Sequence, residues 1–76
     1  MVIEVSYQTK RDAADMYSNF KHTEFFESST LPDKPTMIKQ LSVMNKDFAE
    51  DTIAITKRNA DVARMRASGL CVTKLS

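Results

Sequence analysis

Residues 36–68 read TMIKQLSVMNKDFAEDTIAITKRNADVARMRAS, and the fold turns on whether this run is one helix. It holds neither proline nor glycine, and Gly69 follows it where a helical C-terminal stop belongs. Leu41, Phe48, Ile55 and Val62 recur at heptad spacing and make a large apolar stripe that Met37 and Met44 widen. Ala49, Ile53, Ala60, Ala63 and Ala67 form an adjoining, mostly small flank that lets a second helix come close. The spacing predicts one helix over 36–68, roughly 33 residues and roughly 50 Å long.

Upstream, Ser28 to Pro35 holds both prolines and three adjacent hydroxyl residues, so 28–35 is expected to be a hinge. Before it, Thr9 resembles an N-cap backed by Asp12, and Ala13, Met16, Tyr17 and Phe20 recur at helical spacing. A first helix is therefore expected over 10–26. Residues 2–8 alternate, with Ile3, Val5 and Tyr7 on one face and Glu4 and Ser6 on the other, which predicts a strand. Downstream, 70–75 is β-prone and could pair with it. The expectation is one mainly α domain over 1–76, a helical hairpin of a short and a long helix with short terminal strands.

Such a rod presents two packing surfaces, and a first helix half its length covers only part of them. The remainder must meet another subunit, since soluble monomers avoid large exposed apolar patches. A homo-oligomer is thus expected, with Leu41, Phe48, Ile55, Val62, Ala49, Ala60 and Ala63 as its interface. Asn45, Thr52, Asn59 and Arg66 also repeat at heptad spacing between the two stripes. They would either bond across the interface and fix register or line a polar pocket that receives a ligand.

A chain of 76 residues has a thin stability margin, and one cysteine and one histidine offer neither a disulfide nor a zinc site. No metal or cofactor is expected. The start lacks a basic leader and no uncharged run is long enough to span a bilayer, so a cytoplasmic, membrane-free protein is expected. A formal charge of +1 argues against nucleic acid as the main partner. Residues 1–35 carry four bases and six acids and residues 36–76 seven bases and four acids, which makes one end mildly positive.

Catalytic equipment is missing. A Cys71 and His22 dyad would lack an orienting group and a glycine-rich oxyanion loop, and one glycine cannot build a phosphate loop. Cys71 reads better as a small apolar filler. No catalytic residue is therefore expected, and three binding roles remain. The first is a protein that blocks or scaffolds another protein, with Phe25 and Phe26 as core or as an aromatic anchor. In the second, an oligomer sequesters a phosphorylated ligand: Tyr7 would stack on a base, and Lys10, Arg11, Asn59, Arg64 and Arg66 would meet its polar groups. The third is a ribbon-helix-helix dimer reading DNA through Glu4, Ser6 and Gln8, which a near-neutral charge disfavours.

The stretch Ala54-Ile55-Thr56-Lys57-Arg58-Asn59-Ala60-Asp61-Val62-Ala63-Arg64-Met65-Arg66-Ala67 resembles the closing helix of the phage helical-hairpin proteins that sequester cyclic oligonucleotide signals of the CBASS and Thoeris systems. Arg66 stands where that family's tryptophan is expected. The resemblance implies a compact hexamer of hairpins holding cyclic nucleotides between subunits. The leading expectation from residues and resemblance together is a non-enzymatic, phage-type inhibitor that binds a host protein through an oligomeric helical scaffold, with the cyclic-nucleotide sponge as the alternative.

Overall fold

The structure, a computed structural model, describes residues 1–75; Ser76, the last residue of the expected domain, lies outside them. The chain runs β1 (Val2–Tyr7), α1 (Lys10–Ala14), β2 (His22–Glu27), α2 (Lys34–Met44), β3 (Ala54–Arg58), α3 (Val62–Ala67) and β4 (Val72–Lys74), with a 3-10 turn at Glu50–Thr52 before β3. The strands form one mixed sheet in the order β3-β1-β2-β4. β1 is antiparallel to both of its neighbours, and β4 joins β2 in parallel. The expected mainly α hairpin is therefore incorrect: this is a small mixed α/β domain whose longest helix, α2, has 11 residues.

The run 36–68 breaks because its polar residues bind the local backbone instead of leaving the helix ladder alone. Asn45 ends α2, and its Oδ1 accepts from the Asp47 N–H at 3.0 Å. The Ala49 N–H donates to the Gln8 carbonyl at 2.8 Å, and Thr9 bridges Phe48, so 48–49 extends the edge of β1 rather than a helix. Ile53, Ile55 and Thr56 are β-branched and suit the pleated surface of a strand. Asp61 then caps α3 by accepting from the Ala63 N–H at 2.9 Å. Gly69, at φ 89, closes α3 in a Schellman arrangement: its N–H donates to the Arg66 carbonyl and that of Leu70 to the Met65 carbonyl.

The first helix is also shorter than expected. Thr9 does cap α1, with its Oγ1 accepting from the Asp12 N–H and donating to Asp12 Oδ2. The helix nevertheless ends at Ala14, where Asp15 Oδ1 takes the Tyr17 N–H at 3.0 Å and turns the chain. Ala13, Met16, Tyr17 and Phe20, expected on a buried face, are all exposed. Residues 22–26, placed in that helix by spacing, belong instead to β2 (His22–Glu27). The hinge 28–35 overlaps the first turn of α2, which Asp33 caps by accepting from the Thr36 N–H at 3.0 Å. The alternation of residues 2–7 does correspond to β1.

Two cores hold the sheet. Ile3, Val5, Tyr7, Phe26, Met37, Leu41 and Phe48 pack on one face, under α2; Val2, Met65 and Val72 pack on the other, with Phe25 and Val62 against them. Val2 and Ile3 are adjacent and both buried, on opposite faces, and Phe25 and Phe26 likewise pack one on each side. This doubly covered end is the lower end of the sheet. Toward the upper end, Glu4 and Ser6 alternate with buried Val5 and Tyr7, because only the α2 face is closed there. β2, β3 and β4 all run the same way, so α2 and α3 are both parallel crossovers. One moves from β2 to β3 and the other back from β3 to β4. Crossovers of one hand that travel in opposite directions must use opposite faces, and these two do.

This packing removes the premise of the expected interface. Leu41 and Phe48 are buried within one copy, Ile55 and Val62 are half-buried against the two cores, and Ala49 is buried. Ala60 and Ala63 are exposed on the β3–α3 turn and on α3. A single chain thus shelters the apolar stripe that a straight rod could not.

Candidate functional site

Among the described residues, no cluster of three or more His, Cys, Asp or Glu side chains could hold a metal ion. His22 stacks on Tyr7 with ring centroids 5.4 Å apart, and exposed Cys71 precedes β4; among the described residues no hydrogen bond joins the two. Two open clefts of about 390 and 370 Å³ adjoin at the lower end. Their linings share Ser28 and Leu75, and their main-chain groups are engaged: the Met1 amine donates to the Ser28 carbonyl, and the Leu75 N–H to the Glu27 carbonyl. The first sets Lys74 and the Met1 amine beside the Glu27 carboxylate and the second holds Asp33 without a base, so neither is a purely cationic cradle for a phosphorylated ligand.

The residues expected to hold such a ligand are divided. Tyr7 is only 2% exposed and belongs to the core. Lys10 and Arg11 lie on α1, just past the upper end of β1. Asn59, Arg64 and Arg66 follow the far end of β3, whose Arg58 pairs with Val2 at the lower end. A strand of this length separates the groups by roughly 17–20 Å. Arg66 is also committed, since its Nη2 donates to the Val72 carbonyl at 3.0 Å and ties α3 to β4. The heptad row Asn45, Thr52, Asn59 and Arg66 is likewise spread over a helix cap, a 3-10 turn, a loop and α3.

What gathers instead is apolar surface at the upper end. Met16, Tyr17 and Phe20 are 84%, 86% and 60% exposed on the connection between α1 and β2, and Val43 and Met44 are exposed at the end of α2. The two connections are tied together, because the Lys10 N–H donates to the Asp47 carbonyl and Gln8 pairs with the segment around Ala49. Gln8 Nε2 reaches the Ser18 and Phe20 carbonyls at 3.4 and 3.3 Å, and Ser18 Oγ reaches Asp12 Oδ1 at 3.5 Å, so the exposed connection is braced from below.

An aromatic chain backs this surface. Phe48 meets Tyr7 edge-on at 6.0 Å, Tyr7 stacks on His22, and Phe20 meets His22 edge-on at 5.0 Å. Rings at these spacings favour edge-on and offset contacts and hold one another in place. Phe20 is therefore an exposed ring mounted on the core. The sequence reading missed this group by assigning Met16, Tyr17 and Phe20 to a helix interior. The available signal was Asp15, Ser18 and Asn19, local turn formers interleaved with the apolar residues.

No protein-family model, curated protein or solved structure matches the chain. The stretch 54–67, which resembles a closing helix in sequence, is a strand, a turn and a six-residue helix. No helix among the described residues is long and apolar enough to cross a membrane.

Proposed function

We propose that this chain is a non-enzymatic, cytoplasmic binding protein that docks on another protein through the upper end of its sheet. The observation that carries the reading is the exposure of Met16, Tyr17 and Phe20 on the β1–β2 connection and of Val43 and Met44 where α2 leads into the α2–β3 connection, both at one end. Aromatic and methionine side chains are the usual anchors of protein interfaces, and side chains on a braced scaffold lose little freedom when they are covered. The same two connections carry Lys10, Arg11, Lys21 and Lys46 against Asp12, Asp15, Asp47, Glu50 and Asp51. A slight excess of acid around apolar anchors disfavours an anionic membrane surface and suits a protein groove with a mixed polar rim. A phage-encoded inhibitor that covers a site on a host factor is one protein of this kind.

The test places a photo-reactive residue at position 17 and, separately, at exposed position 39 on α2. Crosslinking in the native cell is expected to join position 17, but not position 39, to one other protein, and Phe20→Ser should abolish the adduct. Adducts with its own chain alone, equal labelling from both positions, or no adduct would overturn the proposal.

A further inference from the structure

We propose that the outer edge of β3 receives an extended acidic strand from a partner, a surface separate from the apolar upper end. β3 is one margin of the sheet and only its inner side is paired, with β1. Ala54, Thr56, Lys57 and Arg58 are exposed and Ile55 is half-buried. The five residues include no proline, so each has an N–H and a carbonyl, and those directed away from β1 have no strand beside them. The other margin, β4, has only three residues and offers a much shorter template.

Charge decides what can lie there. Among the described residues the one ion pair is Arg58 with Glu4, at 2.7 Å, and the guanidinium also stands 5.5 Å over the Phe25 ring. Lys57 has no ionic partner among the described residues. A second copy added in parallel would set Lys57 against Lys57 and Arg58 against Arg58. Added antiparallel about Thr56, it would set Arg58 opposite Ala54 and Lys57 opposite Ile55, with no acid for any of them. Bases on an edge discourage like strands, and here they select a strand of the opposite sign. Opposed residues share a face, so an antiparallel partner read from its N-terminus would present two acids, a polar residue and an apolar one, against Arg58, Lys57, Thr56 and Ile55. Main-chain bonds supply affinity in such strand addition, and the alternating side chains supply selectivity.

The probe is the peptide acetyl-Glu-Glu-Thr-Val-Thr-amide, titrated into the isotope-labelled full chain and followed by amide chemical shifts. Saturable shifts confined to residues 54–58 and their β1 partners, weakening with added salt, are expected. The control acetyl-Lys-Lys-Thr-Val-Thr-amide should give none. Lys57→Glu alters an exposed residue without a partner and so should fold as the wild type does. Lys57→Gln should weaken the acidic peptide about threefold, the size of one exposed ion pair, and Lys57→Glu, which adds a repulsion to that loss, should weaken it about tenfold. No shifts at millimolar peptide, shifts centred elsewhere, or equal response to both peptides would overturn the proposal.

Discussion

The Gln8 N–H donates to Thr52 Oγ1 at 2.9 Å, across 44 residues of chain. The same hydroxyl lies 2.7 Å from the Ala49 carbonyl, to which it donates. Between Ala49, which pairs with Gln8, and Ala54, which pairs with Ser6, the chain inserts the 3-10 turn, so β1 loses a ladder partner there. The Thr52 side chain replaces it. Thr52→Val keeps the shape but leaves a partly buried N–H unpaired, and should cost about 1–2 kcal/mol in urea denaturation. Thr52→Ser should restore most of that loss. Equal stability of the valine variant would show that water satisfies Gln8.

Leu41 and Phe26 are fully buried in the same core although the sequence reading put them on different helices. Leu41→Ala should cost about 2–5 kcal/mol and Phe26→Ala about 3–5 kcal/mol, enough to unfold a domain of this size. Ala63→Ser, on the exposed side of α3, should stay within about 0.5 kcal/mol of wild type. Thermal melting checks all three. A severe loss at Ala63 would restore the interface that the small-residue flank suggested.

Gly69 has φ 89, and a Cβ added there would meet nothing within 4 Å. The cost of Gly69→Ala is therefore conformational alone, about 1 kcal/mol. Because Gly69 N–H and Leu70 N–H close α3 just before β4, the loss should register as faster amide exchange in 65–74 as well as a lower Tm. Unchanged exchange there would mean that the turn tolerates a side chain.

Asp33 has its carboxyl pKa held below the ordinary 3.8, first by a side-chain hydrogen bond with Thr36 and then by the Thr36 backbone N–H. A carboxyl with a lowered folded-state pKa contributes stability that is fully present above the ordinary value. The contribution declines as the pH falls below 3.8 and is gone below the folded-state value. Asp33→Asn keeps a cap without the charge. The Tm difference between wild type and Asp33→Asn should therefore shrink across that acid window, and a constant difference would rule out the charged cap as its source.

The alternation of Val2 to Tyr7 and the cap at Thr9 were legible because both are local: period-2 burial and a side chain bonding three residues ahead need no knowledge of the rest of the fold. The long segment misled because absence of glycine and proline is not presence of a helix. Leu41, Phe48, Ile55 and Val62 keep heptad spacing by coincidence of four different environments: α2, a bridge, β3 and α3. The counter-signal lay in Asn45, Asp47, Thr52, Asn59 and Asp61, five local bond formers in an apparent rod, together with β-branched Ile53, Ile55 and Thr56. Adjacent apolar pairs at Val2-Ile3 and Phe25-Phe26 also mark strands covered on both faces, where alternation fails. The apolar upper end was not legible, since Met16, Tyr17 and Phe20 look the same in a string whether covered or bare.

The central strands β1 and β2 wait for partners from far along the polypeptide, since Val2 pairs with Arg58 of β3 and β4 joins β2 later still. An early β1–β2 ribbon has too little to hold it in water alone. Acquisition of the native state should consequently be slow for so short a molecule, with milliseconds or longer expected where a helical hairpin of the same size would need microseconds.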